Sequence, residues 1–235
     1  MMTEQGKIWV VIPAAGIGTR MSSETPKQYM KIQNKCILEH TLEQFCFYPG
    51  VDGVVVALAD GDPYWSSLSI SSNEKLMITS GGEERCHSVL NGLRHLDDFA
   101  QANDWVLVHD AARPCLRVED IEKLINTVSE QGRGGLLAVP VCDTMKRADS
   151  SNSVTETVDR LGLWHALTPQ MFRLAELKTA IENVLAEGML VTDEAQAMEF
   201  SGISPLLIEG HSDNIKVTLP LDILLADLFL SQRRK

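Results

Sequence analysis

The sequence predicts an α/β fold, a mostly parallel sheet flanked by helices, and three observations carry that prediction. Short runs rich in Val and Ile alternate with stretches of helical periodicity, the pattern of strands joined by crossover helices. The runs at residues 8–12 and 51–58 are apolar almost throughout, as strands buried on both faces are. Polar clusters containing glycine, aspartate or arginine follow several of these runs directly, where open α/β sheets bind their ligands.

Taken in order, residues 8–12 form the first strand, ended by Pro13, which has no N–H to donate. Leu38, Thr41, Leu42 and Phe45 share one helical face that stops before Pro49 and Gly50. Residues 51–58 are the second strand, and Asp62-Pro63 reads as an N-cap with proline at the first helical position. Residues 76–79 make a short third strand, followed by a helix carrying Val89, Leu90, Leu93 and Leu96. Residues 105–108 are the fourth, and Val118, Ile121, Leu124, Ile125 and Val128 face inward from the helix after it. Residues 136–139 are the fifth.

The alternation then breaks. Residues 140–160 are polar, with short alternating runs at 144–148 and 154–158 around Asp149-Ser-Ser-Asn-Ser153, the signature of a hairpin too hydrophilic for a core. An exposed hairpin has open edges and is marginal alone, so this one is expected to pack on another subunit. Residues 163–167 resume the sheet. Leu174, Leu177, Ile181, Val184 and Leu185 give an amphipathic helix closed by Gly188, and Thr192-Asp193-Glu194 starts another with acids in its first turn. Residues 206–209 and 215–217 are the last strands, and Pro220 opens a helix with Leu221, Leu224, Leu225 and Leu228 on one face. No repeat, low-complexity tract or linker interrupts residues 1–235, so one domain is expected, with 140–160 as an arm inserted in it.

The 235 residues carry a formal net charge of −11, with 44% hydrophobic and 23% charged residues. This is a soluble globular composition, and it argues against nonspecific nucleic-acid binding, which needs a basic surface. No signal peptide and no apolar stretch near the ~20 residues of a membrane span is present, so no membrane partner is expected. Five scattered cysteines without a CxxC suggest reduced thiols and a cytoplasmic location.

The chemistry starts at PAAGIGTRM, residues 13–21. Ala14, Ala15, Gly16 and Gly18 leave the backbone bare just beyond a buried strand, so main-chain N–H groups can approach a phosphate or a base edge. Arg20 can fork onto phosphate oxygens, and Lys27 adds a compact charge. A Walker A loop would need Lys-Ser/Thr after its last glycine, and a dinucleotide fingerprint a small residue at Met21 and an acid ending the second strand. Neither is there; Asp60, the nearest acid for an NAD ribose, lies too far along the chain. Ser80 to Arg85 with Ser88 places paired glycines before a helix, a weak signal alone. His109-Asp110-Ala-Ala-Arg113-Pro114 follows a strand: Asp110 can hold Mg²⁺, and Arg113 can either pair with Asp110 or grip a substrate phosphate. His109 and His165 read as hydrogen-bonding residues of the sheet, and no spacing suggests a histidine metal site. Asp143 to Arg147, Asp159-Arg160, Thr168-Pro169-Gln170, Thr192-Asp193-Glu194 and Asp213 to Thr218 add hydroxyls and cations suited to a phosphorylated, hydroxylated small molecule. A nucleotide-sensing module without catalysis would not need them.

The first loop resembles that of nucleotidyltransferases joining a nucleoside triphosphate to a phosphorylated sugar or polyol. PAAGIGTRM, PKQY, GGEER, HDAARP, DTMKR, VDRLGLWHALTPQ, TDEA and DNIKVT, in that order, resemble the 2-C-methyl-D-erythritol 4-phosphate cytidylyltransferases from Ile8 to about Phe229. The resemblance implies a Rossmann-like sheet and transfer of CMP from CTP to 2-C-methyl-D-erythritol 4-phosphate, with pyrophosphate released, in the non-mevalonate route to isoprenoids. The runner-up family is the pentitol-phosphate (ribitol 5-phosphate) cytidylyltransferases, which share the first loop and an HDA-type strand end. By resemblance, Ala14, Ala15 and Gly16 take part in CTP binding, with Gly82, Glu83 and Ser88 on the cytidine; the family usually has aspartate at Glu83. Arg20 and Lys27 match transition-state stabilisers, joined in catalysis by Arg160 and Lys216. Asp110, Arg113, Thr144, Arg160, Thr168, Thr192 and Lys216 match the acceptor site, with Mg²⁺ carried mainly by the CTP phosphates near Asp110. Thr144 and Arg160 stand on the arm, which in the family crosses to the neighbouring subunit of a homodimer with a shared active site.

Overall fold

The computed structural model describes residues 6–16 and 25–233. In chain order, its first half holds β1 (Ile8–Pro13), the short pair β2 (Lys31–Ile32) and β3 (Lys35–Cys36), α1 (Ile37–Cys46), β4 (Gly53–Leu58), β5 (Leu76–Ser80), α2 (Arg85–His95), β6 (Trp105–Val108) and α3 (Val118–Gln131). The second half holds β7 (Gly135–Pro140), β8 (Met145–Ala148), β9 (Val154–Val158), β10 (Trp164–Arg173), α4 (Leu174–Ala186), α5 (Glu194–Phe200), β11 (Leu206–Glu209) and α6 (Pro220–Gln232).

The main sheet has seven strands in the order β11-β7-β10-β6-β1-β4-β5. Its pairings are parallel except those of β10, which runs antiparallel to both β6 and β7. The mostly parallel sheet that the sequence predicts is therefore present. Strand β1 lies between β4 and β6 and is clad on both faces, which is why its run is apolar without alternation. Val10 and Ile12 pack with Leu38, Leu42 and Phe45 of α1 and Leu124 of α3. Trp9 and Val11 point to the opposite face, onto Val89 and Leu93 of α2 and Leu177 of α4. Each fully buried aliphatic side chain of this kind contributes about 1.5–3 kcal/mol. Helix α3 ends where Gly132 takes φ 62°, the left-handed cap that favours glycine.

Several elements differ from the sequence reading. The second strand starts at Gly53 rather than residue 51, because the Val51 N–H turns back to the Tyr48 carbonyl and only the following residues reach the β1 ladder. Asp62 does act as a cap, its Oδ1 accepting from the N–H groups of Tyr64 and Trp65. What it caps, however, are two short 3₁₀ turns, Trp65–Ser67 and Ser69–Ser72, not an α-helix. Residues 215–217 form no strand; the Val217 N–H reaches the Ala112 carbonyl and fastens that segment beside β6. Strand β10 extends through Pro169, at a break in its register against β7, to Arg173. The leucine face of α6 is turned outward: Leu224 is 66% exposed, while Ala226 and Leu230 face the core.

The hairpin is where the sequence puts it. Strands β8 and β9 pair antiparallel with each other in a ladder separate from the main sheet, and nearly every residue in them is exposed.

Candidate active site

The carboxyl ends of β1, β5 and β6 open onto a cavity of about 330 Å³. It lies where β1 meets neighbours reached by separate crossovers, the crevice in which open α/β sheets hold ligands. Most of the loops that the sequence singles out converge there: Ala14, Ala15, Gly16, Lys27, Gly82, Glu83, Ser88, Asp110 and Lys216 all line it. Arg20 and Gly18 lie outside the described residues.

The nucleotide-loop expectation has a physical counterpart. Gln28, buried behind the loop, donates its side-chain amide to the carbonyls of Ala14 (2.7 Å) and Gly16 (3.1 Å). The next residue, Tyr29, donates its hydroxyl to Asp62 at 2.8 Å. PKQY thus anchors the turn that carries Lys27 at the cavity wall. A Cβ added at Gly16 would meet nothing within 4 Å, so its missing side chain leaves room for a ligand rather than for the protein. Gly81 is the opposite case: a Cβ there would stand 2.2 Å from that of Ala15, so the two loops touch because this glycine is bare. Ser88 accepts the Gly82 N–H at 3.0 Å, which folds the glycine loop back over the start of α2.

Asp110 organises the other half. Its Oδ1 accepts from Arg85 Nε at 3.0 Å, and its Oδ2 pairs with Lys216 Nζ at 2.9 Å and Arg113 Nε at 3.3 Å. Burial alone would raise its carboxyl, but Arg85, Lys216 and Arg113 together hold it well below the usual carboxylate range. Of the two readings open for Arg113, pairing with Asp110 is what is seen. Arg113 is buried, and its Nη1 also donates to the Asn214 carbonyl at 2.7 Å. Thr168 sits behind the wall rather than on it. Its Oγ1 accepts the Asp110 N–H at 3.1 Å and donates to His109 Nδ1 at 2.9 Å, and His109 Nε2–H donates to the Arg113 carbonyl at 3.1 Å. That chain fixes the His109–Arg113 turn, and burial pushes the imidazole down to about 4, so His109 is neutral. His165, by contrast, is exposed on β10.

Two residues of the quoted motifs were not assigned from sequence. Arg85 of GGEER donates Nη1 and Nη2 to Glu194 at 2.6 and 3.0 Å, and Glu194 of TDEA is almost fully buried. A charged residue just past a glycine pair was a usable signal for Arg85. Nothing local marked Glu194, because its partner is distant in sequence.

Other expected site residues stand apart. Thr192 is exposed at the start of α5, its hydroxyl on Gln196 Oε1 at 3.2 Å. Thr144 and Arg160 are exposed at the hairpin base, where Arg160 donates to the Cys142 carbonyl, and neither lines the cavity. Among the described residues no three His, Cys, Asp or Glu side chains cluster as a metal cage, and no helix is long and apolar enough to cross a membrane. Cys36, Cys46, Cys86 and Cys115 are buried free thiols; burial pushes Cys36 and Cys115 up to about 12 and Cys46 to about 11, so these three pack as neutral groups.

Comparison with known proteins bears on this arrangement. The family model described as IspD, 2-C-methyl-D-erythritol 4-phosphate cytidylyltransferase, matches residues 8–232. The protein of that name from Vibrio vulnificus strain YJ016 is 50% identical over 224 residues, covering 95% of this chain and 94% of its own. That of Vibrio atlanticus strain LGP32 is 48% identical over 235 residues, covering all of both chains. The crystal structure of the Francisella tularensis enzyme superposes with a TM-score of 0.83 at 37% identity, over 95% of this chain and 99% of that one. The Thermus thermophilus enzyme gives 0.78 at 27% identity, over 96% and 99%. These relatives bear the methylerythritol name, and the pentitol-phosphate reading is not favoured. With a family model spanning all but the ends of the chain, and relatives half identical to it, the chain belongs to the IspD family, the 2-C-methyl-D-erythritol 4-phosphate cytidylyltransferases.

Proposed function

We propose that the cavity at the ends of β1, β5 and β6 is where CTP and 2-C-methyl-D-erythritol 4-phosphate meet. As a member of its family the chain is a nucleotidyltransferase of isoprenoid precursor biosynthesis that joins the two and releases pyrophosphate. The observation supporting this placement is that Lys27 and Lys216, from opposite ends of the chain, line one cavity beside Asp110 and two bare-backbone loops. We read residues 1–235 as one domain.

The acceptor phosphate is already an anion, so one of its oxygens attacks the α-phosphorus of CTP without a proton being removed. A new P–O bond forms as the bond to the bridging oxygen of the β-phosphate breaks, and pyrophosphate leaves with that electron pair. The protein's task is charge compensation and alignment. Ala14, Ala15 and Gly16 let the triphosphate approach the backbone, and Gly82, Glu83 and Ser88 hold the cytidine. Lys27, with Arg20, answers the charge that builds on the α-phosphate. Lys216 rests on Asp110 and is more than a third exposed, so an arriving phosphate can take it as a partner. Arg113 and Thr168 serve the acceptor by fixing Asp110, and Thr192 and Thr144 offer hydroxyls to the polyol.

Magnesium fits this wall as a companion of the triphosphate. Asp110 is a single carboxylate, and Mg²⁺ is commonly held by one or two carboxylates plus water and phosphate oxygens. When bound, it would neutralise phosphate charge. We read the hairpin at 140–160 as a dimerisation arm carrying Arg160 to the active site of a second copy. Its exposure on every side and its pairing with nothing but itself support that reading. The buried free thiols support a cytoplasmic location.

The test is pyrophosphate release from CTP and Mg²⁺ with methylerythritol phosphate, beside ribitol 5-phosphate. Turnover with the first at least tenfold above the second is expected; equal or reversed preference would move the acceptor to the pentitol class.

A further inference from the structure

Arg85 joins three segments that approach the cavity from different sides. It is the first residue of α2, directly after the loop of Gly82, Glu83 and Glu84. Its Nε donates to Asp110, at the end of β6, and its two terminal nitrogens donate to both oxygens of Glu194, at the start of α5. Each guanidinium nitrogen therefore has a carboxylate acceptor, in the fixed fork that only arginine presents. Glu194 is 1% exposed and cannot touch a ligand. Its own position is set from behind: Gln170, equally buried, accepts the Ala195 N–H at 2.7 Å and donates to Asp193 at 3.0 Å.

We propose that Arg85 is a positioning residue that fixes the nucleotide half of the site to the acceptor half, with Glu194 as its anchor. The inference rests on the site assignment proposed above. On one side of Arg85 lie the glycine loop and Ser88; on the other lie Asp110, with Lys216 on it, and Thr192. The transfer needs two phosphates in line, and the separation of those halves is what the fork holds constant. Displacing a reacting group by about 1 Å can cost about 100-fold in rate with binding little changed.

A merely structural ion pair behaves differently, and that difference is testable. Replacing a buried pair by apolar residues of similar volume is often neutral or stabilising. In the double variant Arg85→Met/Glu194→Leu, the melting temperature should stay within a few degrees of wild type. The kcat for pyrophosphate release should fall about 100-fold, with KM for CTP within about threefold. A stable double variant with kcat within threefold of wild type overturns the proposal. So does one in which KM for CTP rises tenfold at unchanged kcat, since Arg85 would then be a nucleotide contact. If the double variant does not fold, Glu194→Gln decides: it keeps the shape but removes the charge that aims the fork. It should lower kcat about tenfold at unchanged KM for CTP, and an unchanged kcat rejects the inference. Lys27→Ala is the control for the site itself. If it too is fully active, the site assignment has failed; if it is inactive while the Arg85 and Glu194 variants are active, only the present inference has.

Discussion

Lys27 and His109 show how single residues divide the labour of this site. Lys27 starts a turn pinned by Gln28 and Tyr29 and lines the cavity, so its charge is held in place before any ligand arrives. Because that charge matters most as the transition state forms, Lys27→Ala should lower kcat by about 10²–10³ while KM for CTP changes little. Steady-state kinetics with both substrates varied checks this; near-wild-type turnover would remove the lysine from the mechanism. His109 contributes nothing to charge compensation, since burial keeps its ring neutral, down to about 4 from 6.5. A histidine whose value is depressed on folding adds stability that is present above about pH 6.5 and is lost as pH falls through 6.5 to 4. The loss is about 3 kcal/mol at most. Urea midpoints measured between pH 7 and 4 should decline over that window, and His109→Asn should flatten the decline. An equal decline in the variant would place the titration elsewhere.

At the scale of elements, legibility followed how local the cause was. Strands β1, β4, β5 and β6 announce themselves as Val- and Ile-rich runs because both of a strand's faces being buried is written into its own residues. Strand β10 was only half legible. A proline argues against a strand interior, and Pro169 is accommodated only because the register against β7 breaks between Ala166 and Gln170. The Asp62 cap was read correctly, but nothing local stops a helix from following it; packing under Tyr29 and α1 does. In α6 the strongest apolar stripe misled. Periodicity finds a face but cannot say what covers it, and here Ala226 and Leu230 point inward while the leucines point out. Leu224→Gln should therefore change unfolding free energy by no more than about 0.5 kcal/mol. Leu38→Ala, in the sealed core of α1, should cost about 2–5 kcal/mol. Chemical denaturation compares them directly, and a loss above about 2 kcal/mol at Leu224 would show that this face is covered in solution.

For the whole molecule, the candidate site was legible as a set of loops but not as a network. The residues lining the cavity came from motifs at strand ends, whereas the Arg85–Glu194 link and the support from Gln28 and Asn214 depend on which loops the sheet order brings together. The arm reading makes a prediction at this scale. Lys27→Ala and Arg160→Ala homodimers should each be nearly inactive. Refolding an equal mixture should give heterodimers in which one site carries both lesions and the other neither, so about a quarter of all sites regain activity. A mixture as inactive as its parents, with subunit exchange confirmed by mass, would return Arg160 to its own subunit. The claim beneath all of this is that two phosphates react directly, with the protein supplying charge and alignment and no covalent intermediate. Isotopically labelled pyrophosphate, incubated with the enzyme, CTP and Mg²⁺, tests it most directly. Direct transfer predicts no label in CTP until methylerythritol phosphate is added and the reaction can run backwards through its product. Label entering CTP without the acceptor would mean that the cytidylyl group passes through the protein, and would contradict the account.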